Sequence, residues 1–137
     1  MQQSITEAVG VPNRAHTMIH DYFAAIRARD RAAWCATFES DGELVDPADA
    51  APRRGHDALA TFFEGFAALF AVLDFVPHEI QVCGGSAAVC WKAHCVARNG
   101  AEARVSGIDV FEFAPGGRIR RVTGWWNPAP LLAAAQA

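Results

Sequence analysis

The chain has 137 residues, 52% of them apolar and 20% charged, with a formal net charge of −3. That is the length and apolar content of one domain, residues 1–137, with a single sizeable core. The weakly acidic balance supplies no electrostatic pull toward nucleic acid or an anionic membrane, so neither is expected as a partner. The one dense basic run, "RIRR" at 118–121, alternates as a solvated strand face does. The first sixteen residues, "MQQSITEAVGVPNRAH", hold no basic stretch followed by a long apolar one, and the expectation is a cytoplasmic protein with neither leader nor anchor. The cysteines, Cys35, Cys83, Cys90 and Cys95, show neither a C-x-x-C pair nor zinc-like spacing with histidine. They read as reduced and mostly buried thiols.

From Asn13 to about Arg29, Ala15, Met18, Ile19, Tyr22, Phe23 and Ile26 recur at three- and four-residue steps, which predicts an amphipathic helix. Asp30 is placed to cap a second, shorter helix carrying Ala33, Trp34 and Phe38. "GELVDP" follows as a short extended piece, because Pro47 pushes Asp46 out of helical geometry. A third helix starts near His56 and buries Leu59, Phe62, Phe63, Phe66 and Phe70. Beyond Leu73 the period changes to that of strands. "CGGS", "RNGAE" and "APGGR" punctuate runs near 75–83, 86–98, 102–113 and 118–126, each a hairpin connection between antiparallel neighbours. Helices first and a meander afterwards predict an α+β fold with helices packed on one face of a curved sheet, while "LLAAAQA" at the end is expected to fray.

The run "RVSGIDVFEF" at 104–113 carries the most informative polar residue. Strand alternation puts Val105, Gly107, Asp109, Phe111 and Phe113 on one face, so a carboxyl group shares the apolar side of a sheet. An ionised carboxylate is costly there, and desolvation raises its pKa until the protonated, hydrogen-bond-donating form persists near neutrality. Gly107, two residues earlier, leaves room beside it.

The order "YFAAIRARD", "ATFESDGELVDP", "RRGHDALATFF", "GIDVFEF" and "GGRIRRVTGWWNP" resembles the Δ5-3-ketosteroid isomerases and their SnoaL-like relatives in the NTF2-like superfamily, over roughly residues 14–128. The resemblance implies a cone-shaped fold of three N-terminal helices packed on a strongly curved antiparallel sheet, often as a homodimer. It also implies three site residues. Tyr22 matches the tyrosine that donates to the substrate oxygen, Asp46 the aspartate that moves the proton, and Asp109 the second oxyanion donor. Ketosteroid isomerase is the reference case of a tyrosine beside a protonated aspartate, so this mechanism comes with the resemblance and not from the spacing. Implied with it is cofactor-independent, metal-free proton transfer next to the carbonyl of a small hydrophobic ketone, with a carbonyl or phenolic compound as ligand. Trp126 matches an aromatic placed against the ligand.

Lys92 and His94 fall where the isomerase is expected to have apolar pocket residues, alternating with Cys90 and Val96 opposite Trp91, Ala93 and Cys95. They stand as candidate substrate contacts in a cavity more polar than a steroid site. Trp34, Phe62, Phe63, Phe66 and Trp125 read first as core aromatics, with Phe63 also a candidate ligand contact. His16, His20, His56 and His78 read as helix-surface or loop residues. Two other functions fit the same pattern. One is a SnoaL-like polyketide cyclase or lyase, which Lys92 and His94 favour. The other is a non-enzymatic binding or dimerisation module, which a very small cavity, or widely separated aspartates, would favour.

Overall fold

The computed structural model describes the backbone of residues 2–137 and the side chains of residues 14–137. Helix α1 (Gln2–Ala28) is followed by α2 (Arg31–Ala36), strand β1 (Phe38–Val45), the two-residue β2 (Arg53–Arg54) and α3 (His56–Ala67). The long strands β3 (Phe70–Cys83), β4 (Ser86–Ala97) and β5 (Glu102–Phe113), the shorter β6 (Ile119–Trp125) and helix α4 (Ala129–Gln136) complete the chain. The strands form one sheet in the order β2-β1-β6-β5-β4-β3. All pairs are antiparallel except β1 with β6, which run parallel.

The α+β arrangement and the four later strands follow the sequence pattern, with four differences, the first being that Phe38, expected on the second helix, opens β1, because α2 ends at Ala36 with Thr37 as its C-cap. The sheet opens with β1 and β2 between the second and third helices, and β1 pairs with β6, a strand about 80 residues away that no local turn signal could announce. Phe70 belongs to β3 and not to the third helix, since Ala68 closes α3 through its N–H to the Glu64 carbonyl. The C-terminal segment forms α4 and is held there, because Leu131 and Ala134 are buried and the Asn99 amide donates to the Ala134 and Ala137 carbonyls. The fold therefore has a fourth helix beyond the three expected N-terminal ones.

Register shifts mark where the sheet bends. Strand β3 slips against β4 between Phe70 and Val72 and again between Pro77 and Glu79. Each slip adds local twist, and Pro77 is tolerated because β3 is an edge strand. Against the inner face pack Ile19, Tyr22 and Phe23 of α1, Trp34 of α2, and Leu59 and Phe63 of α3, in one core with Phe75, Val89, Trp91, Phe111 and Val122 from the strands. Cys35 and Cys95 are buried in it, whereas Cys83 is exposed, which corrects the reading of mostly buried thiols for that residue. Burial pushes the Cys95 thiol up to about 12, so it stays protonated and inert.

Helix α1 ends in a way that fixes its position on the sheet. Asp30 N–H donates to Ala25 O and Arg29 N–H to Ile26 O, a Schellman closure that needs a left-handed residue at Arg29, where φ is 59°. An arginine in that conformation costs about 1–2 kcal/mol that glycine would not. The same side chain offsets it, donating from Nη1 to Phe70 O at 2.6 Å and from Nη2 to Ala67 O at 2.7 Å, while Arg27 Nη1 reaches Phe75 O at 2.7 Å. Asp30 then caps α2 by accepting from Ala33 N–H at 3.0 Å, as its place in the sequence predicts. Arg29→Ala keeps the backbone strain and loses both charge-assisted bonds, so it is expected to destabilise by about 2 kcal/mol in urea unfolding. Arg29→Gly is expected to cost less than Arg29→Ala, because it also removes the strain; the reverse order would mean that the left-handed backbone at this position costs a side chain nothing.

Candidate functional site

The inner face of the sheet and the three preceding helices enclose a cavity of about 50 Å³. Tyr22 and Phe23 reach it from α1, Trp34 from α2, Phe62, Phe63 and Phe66 from α3, and Trp91 and Asp109 from β4 and β5. Asp46, just beyond the end of β1, and Trp126, just beyond the end of β6, close the remaining side. Tyr22, Asp46 and Asp109, which the sequence places more than twenty residues apart, thus line one space, together with Trp126 and Phe63.

Two glycines make the polar end possible. Asp109 lies opposite Gly124 in the β5–β6 register. A Cβ on Gly124 would stand 2.7 Å from Asp46 Oδ1 and 3.2 Å from Asp109 Oδ1, so the two carboxyl groups share the space of one missing methyl. Gly107 does the same for the aromatic wall, since a Cβ there would meet Trp91 Cζ2 at 2.5 Å and Trp126 Cβ at 2.7 Å. At Gly107 the contacts are ring atoms and a Cβ that leave no room for a side chain, whereas at Gly124 a side chain would have to push the Asp46 carboxyl aside.

The two aspartates differ in surroundings. Asp109 is 7% exposed, and its pKa is pushed well above the usual carboxylate value first by burial and then by the charge of Asp46, with only the Trp91 indole opposing. Asp46 is half-buried. Burial raises it too, but the Trp126 indole N–H donates to its Oδ1 and Arg53 lies near, and both favour the ionised form. The pair titrates together, and of the two Asp109 keeps the proton. Tyr22, 4% exposed, is held well above 10 by burial and by the two aspartates, so its hydroxyl is a donor throughout the physiological range.

Lys92 and His94 are elsewhere. The β4–β5 register pairs Trp91 with Gly107 and Val89 with Asp109, so the odd-numbered residues of β4 share the cavity face and the even-numbered ones face away. Lys92 is exposed, and His94 Nε2 lies 2.7 Å from Glu102 Oε1 in an outer depression shared with Asp74, His78 and Arg104. This corrects their placement in the pocket: the residue facing the ligand space is Trp91, which takes the opposite parity. Trp125 is 59% exposed and not core, whereas Trp34, Phe62 and Phe66 line the cavity as well as packing. Trp91 and Gly124 were the residues missed. The first was recoverable by carrying the Asp109 face across the "RNG" turn, and the second had no signal without the β5–β6 pairing.

The wall facing solvent is thin. Phe62 and Phe66 are half-buried, stack at 6.2 Å with rings 4° from parallel, and also line an outer depression. The guanidinium of Arg53 sits 4.6 Å over the Phe62 ring. A cavity of about 50 Å³ holds a few waters, against roughly 300–1,000 Å³ for a drug-sized pocket, so a larger occupant requires these rings to turn.

The model of the SnoaL-like domain family matches residues 19–122, and the chain belongs to that family. Its fold is shared with a structure described as an epoxide hydrolase/cyclase-like enzyme, SalBIII, in pyran ring formation in the polyether salinomycin, at 21% identity and a TM-score of 0.77 over 87% of this chain and 95% of that one. It is shared also with an NTF2-like protein of unknown function from Burkholderia pseudomallei, at 20% identity and a TM-score of 0.80 over 90% of this chain and 98% of that one. A third is RV0760c of Mycobacterium tuberculosis in complex with estradiol-17β-hemisuccinate, at 21% identity and a TM-score of 0.75 over 85% and 96% of the two chains. A comparison with curated proteins gives no match. Likeness at this identity establishes the fold. Among the described residues no helix is long and apolar enough to cross a membrane.

Two measurements test the site. The folded chain holds the Asp109 proton more tightly than the unfolded chain, which releases it near 3.8, so this residue's contribution to stability is fully present below that value and is lost as pH rises through the raised pKa. Asp109→Asn, which cannot ionise, is expected to flatten that decline in urea midpoints across pH; an unchanged decline would place its cause in other groups. Gly124→Ala is expected to displace Asp46, cost about 1–3 kcal/mol and change Trp126 fluorescence by breaking its bond to Oδ1. Retention of both stability and fluorescence would show that the aspartates do not need that space.

Proposed function

We propose that this chain is a cofactor-independent acid–base enzyme that moves a proton at a carbon next to the carbonyl of a small neutral compound. The observation that carries the reading is the pair of carboxyl groups about Gly124, both raised by burial but Asp109 further than Asp46, which the Trp126 N–H and Arg53 hold back. Such a split is how one site supplies a base and an acid at the same pH. Asp46, oriented by Trp126, takes the proton. Tyr22 and protonated Asp109 donate to the oxygen on which negative charge develops, and Asp46 returns the proton to a second carbon. A general base contributes on the order of 10² to 10⁴ in rate and one oxyanion donor about 10² to 10³.

A second reading is favoured by the likeness to the SalBIII structure: a cyclase in which the same pair acts on an oxygen nucleophile. Asp46 would then deprotonate a hydroxyl while an acid beside it protonates the leaving oxygen. The steroid in the RV0760c complex makes a flat apolar ligand a reasonable probe, although about 50 Å³ admits no steroid until Phe62 and Phe66 move. The two signs set out for a non-enzymatic module point in opposite directions. The cavity is small, but the aspartates converge.

The assay is conversion of a β,γ-unsaturated ketone, read by the ultraviolet absorption of the conjugated enone. Asp46→Asn is expected to remove most turnover while leaving phenol binding intact or tighter, because the amide keeps the shape and cannot accept the proton. Asp109→Asn is expected to be milder than Asp109→Ala, which loses a donor and about 10² to 10³ in rate. The rate is expected to rise with pH through the raised pKa of Asp46. Full activity in Asp46→Asn would refute the reading. Turnover of an epoxy-alcohol but of no unsaturated ketone would select the cyclase.

A further inference from the structure

A space of about 50 Å³ admits an organic ligand only where part of its wall yields. Of the residues that line it, Ile26, Asp46, Phe62, Phe66 and Trp126 are half-buried and the rest are buried. Asp46 and Trp126 are tied to each other through the indole N–H, and Ile26 rides on the helix that Arg27 and Arg29 pin in place. Phe62 and Phe66 are held by ring packing and by Arg53 alone. They also line a depression on the outside of α3, together with Arg53, Gly65 and Leu69. The two rings are therefore a partition with space on both sides.

Gly65 has no packing reason to be glycine. It lies inside α3, where glycine costs helix stability, its φ is not positive, and a Cβ there would meet nothing within 4 Å. It stands one turn after Phe62 and directly before Phe66, on the side that borders the depression. A side chain at this position would lean back over Phe62, and its absence leaves a recess into which the rings can turn. We propose that Phe62 and Phe66 are the door of the cavity, that Gly65 provides the recess into which they open, and that Arg53, seated over the Phe62 ring, is the latch that holds them closed. Ligands then reach the carboxyl pair from the α3 side. Arg53 Nη1 also lies 3.5 Å from the Asp46 carbonyl, which sets the latch against the backbone of a residue behind the door.

Hydrogen exchange of the indole N–H groups, followed by NMR, reads the door without a ligand. The Trp34 and Trp91 N–H groups are buried behind it, and Trp125, 59% exposed, serves as the outside reference. The backbone amides of Val89 and Phe111, in the core strands, measure unfolding in each variant. In wild type the two buried indoles are expected to exchange faster than those amides, because the door opens without unfolding. Gly65→Ala and Gly65→Leu both gain helix propensity, but only leucine fills the recess, so the indoles are expected to exchange about tenfold more slowly in Gly65→Leu than in Gly65→Ala. Gly65→Gln fills the same recess and replaces leucine if that variant fails to fold. Arg53→Met keeps the length and loses the charge, and is expected to speed indole exchange about threefold with the Trp125 rate unchanged. Indoles that exchange no faster than the core amides in wild type would overturn the door. Equal rates in Gly65→Ala and in the filled variant would overturn the route past α3, and an unchanged rate in Arg53→Met would overturn the latch. None of these rates needs a ligand or turnover, so they decide the route whatever Asp46→Asn shows about proton transfer.

Discussion

A carboxyl group on the inner face of a sheet is the constraint around which the rest is arranged. Asp109 at 7% exposure cannot be ionised cheaply, and its neighbours relieve the cost by letting it remain an acid. Val89 and Gly124 flank it in the ladder, one apolar and one without a side chain, so no cation competes for its proton. The space on Gly124 then admits Asp46, whose charge reinforces the neutral state of its neighbour. Tyr22 completes the group from a helix pinned to the edge strand by Arg27 and Arg29. Those two arginines line none of the cavity but bond the backbone of Phe75 and Ala67, which do, and so tie the helix that carries Tyr22 to the cavity wall.

The same alternation separates the chemistry of the two sheet faces. Along β4, Val89, Trp91, Ala93 and Cys95 are buried, while Cys90, Lys92 and His94 face outward. A shift of one residue in the β4–β5 register would carry a lysine to the side of Asp109 and favour its carboxylate. The registered arrangement puts an indole there instead, a weaker opponent of protonation than a full positive charge. Keeping ammonium and imidazole outside is therefore part of what keeps Asp109 an acid.

Local signals in the sequence reached the elements that local physics decides. The spacing of Ile19, Tyr22, Phe23 and Ile26 specifies the buried stripe of α1, Asp30 specifies the start of α2, and alternation around Asp109 specifies its face. The convergence of Tyr22, Asp46 and Asp109 was legible only through the family resemblance, because it depends on β1 lying parallel to β6, a pairing that no turn announces. Lys92 and His94 went wrong for a narrower reason. Counting back from the "RNG" turn gives their parity relative to Trp91, but which face lines the cavity is decided by the pairing of Val89 with Asp109. Phe70 was misassigned because an aromatic at helical spacing from Phe66 satisfies the helix period as well as the first position of a strand.

The cavity's size and its polarity have a common origin. Filling the interior with tryptophan and phenylalanine shrinks the space to about 50 Å³ and at the same time lowers its dielectric, which strengthens every electrostatic preference at the carboxyl end. Three tryptophans also bring three N–H donors into a wall that is otherwise hydrocarbon, and one of them is consumed by Asp46. The Trp34 indole lies beside Tyr22 and the Trp91 indole beside Asp109, so each polar group at this end has an aromatic N–H next to it and a substitution that opened the space would also remove a donor.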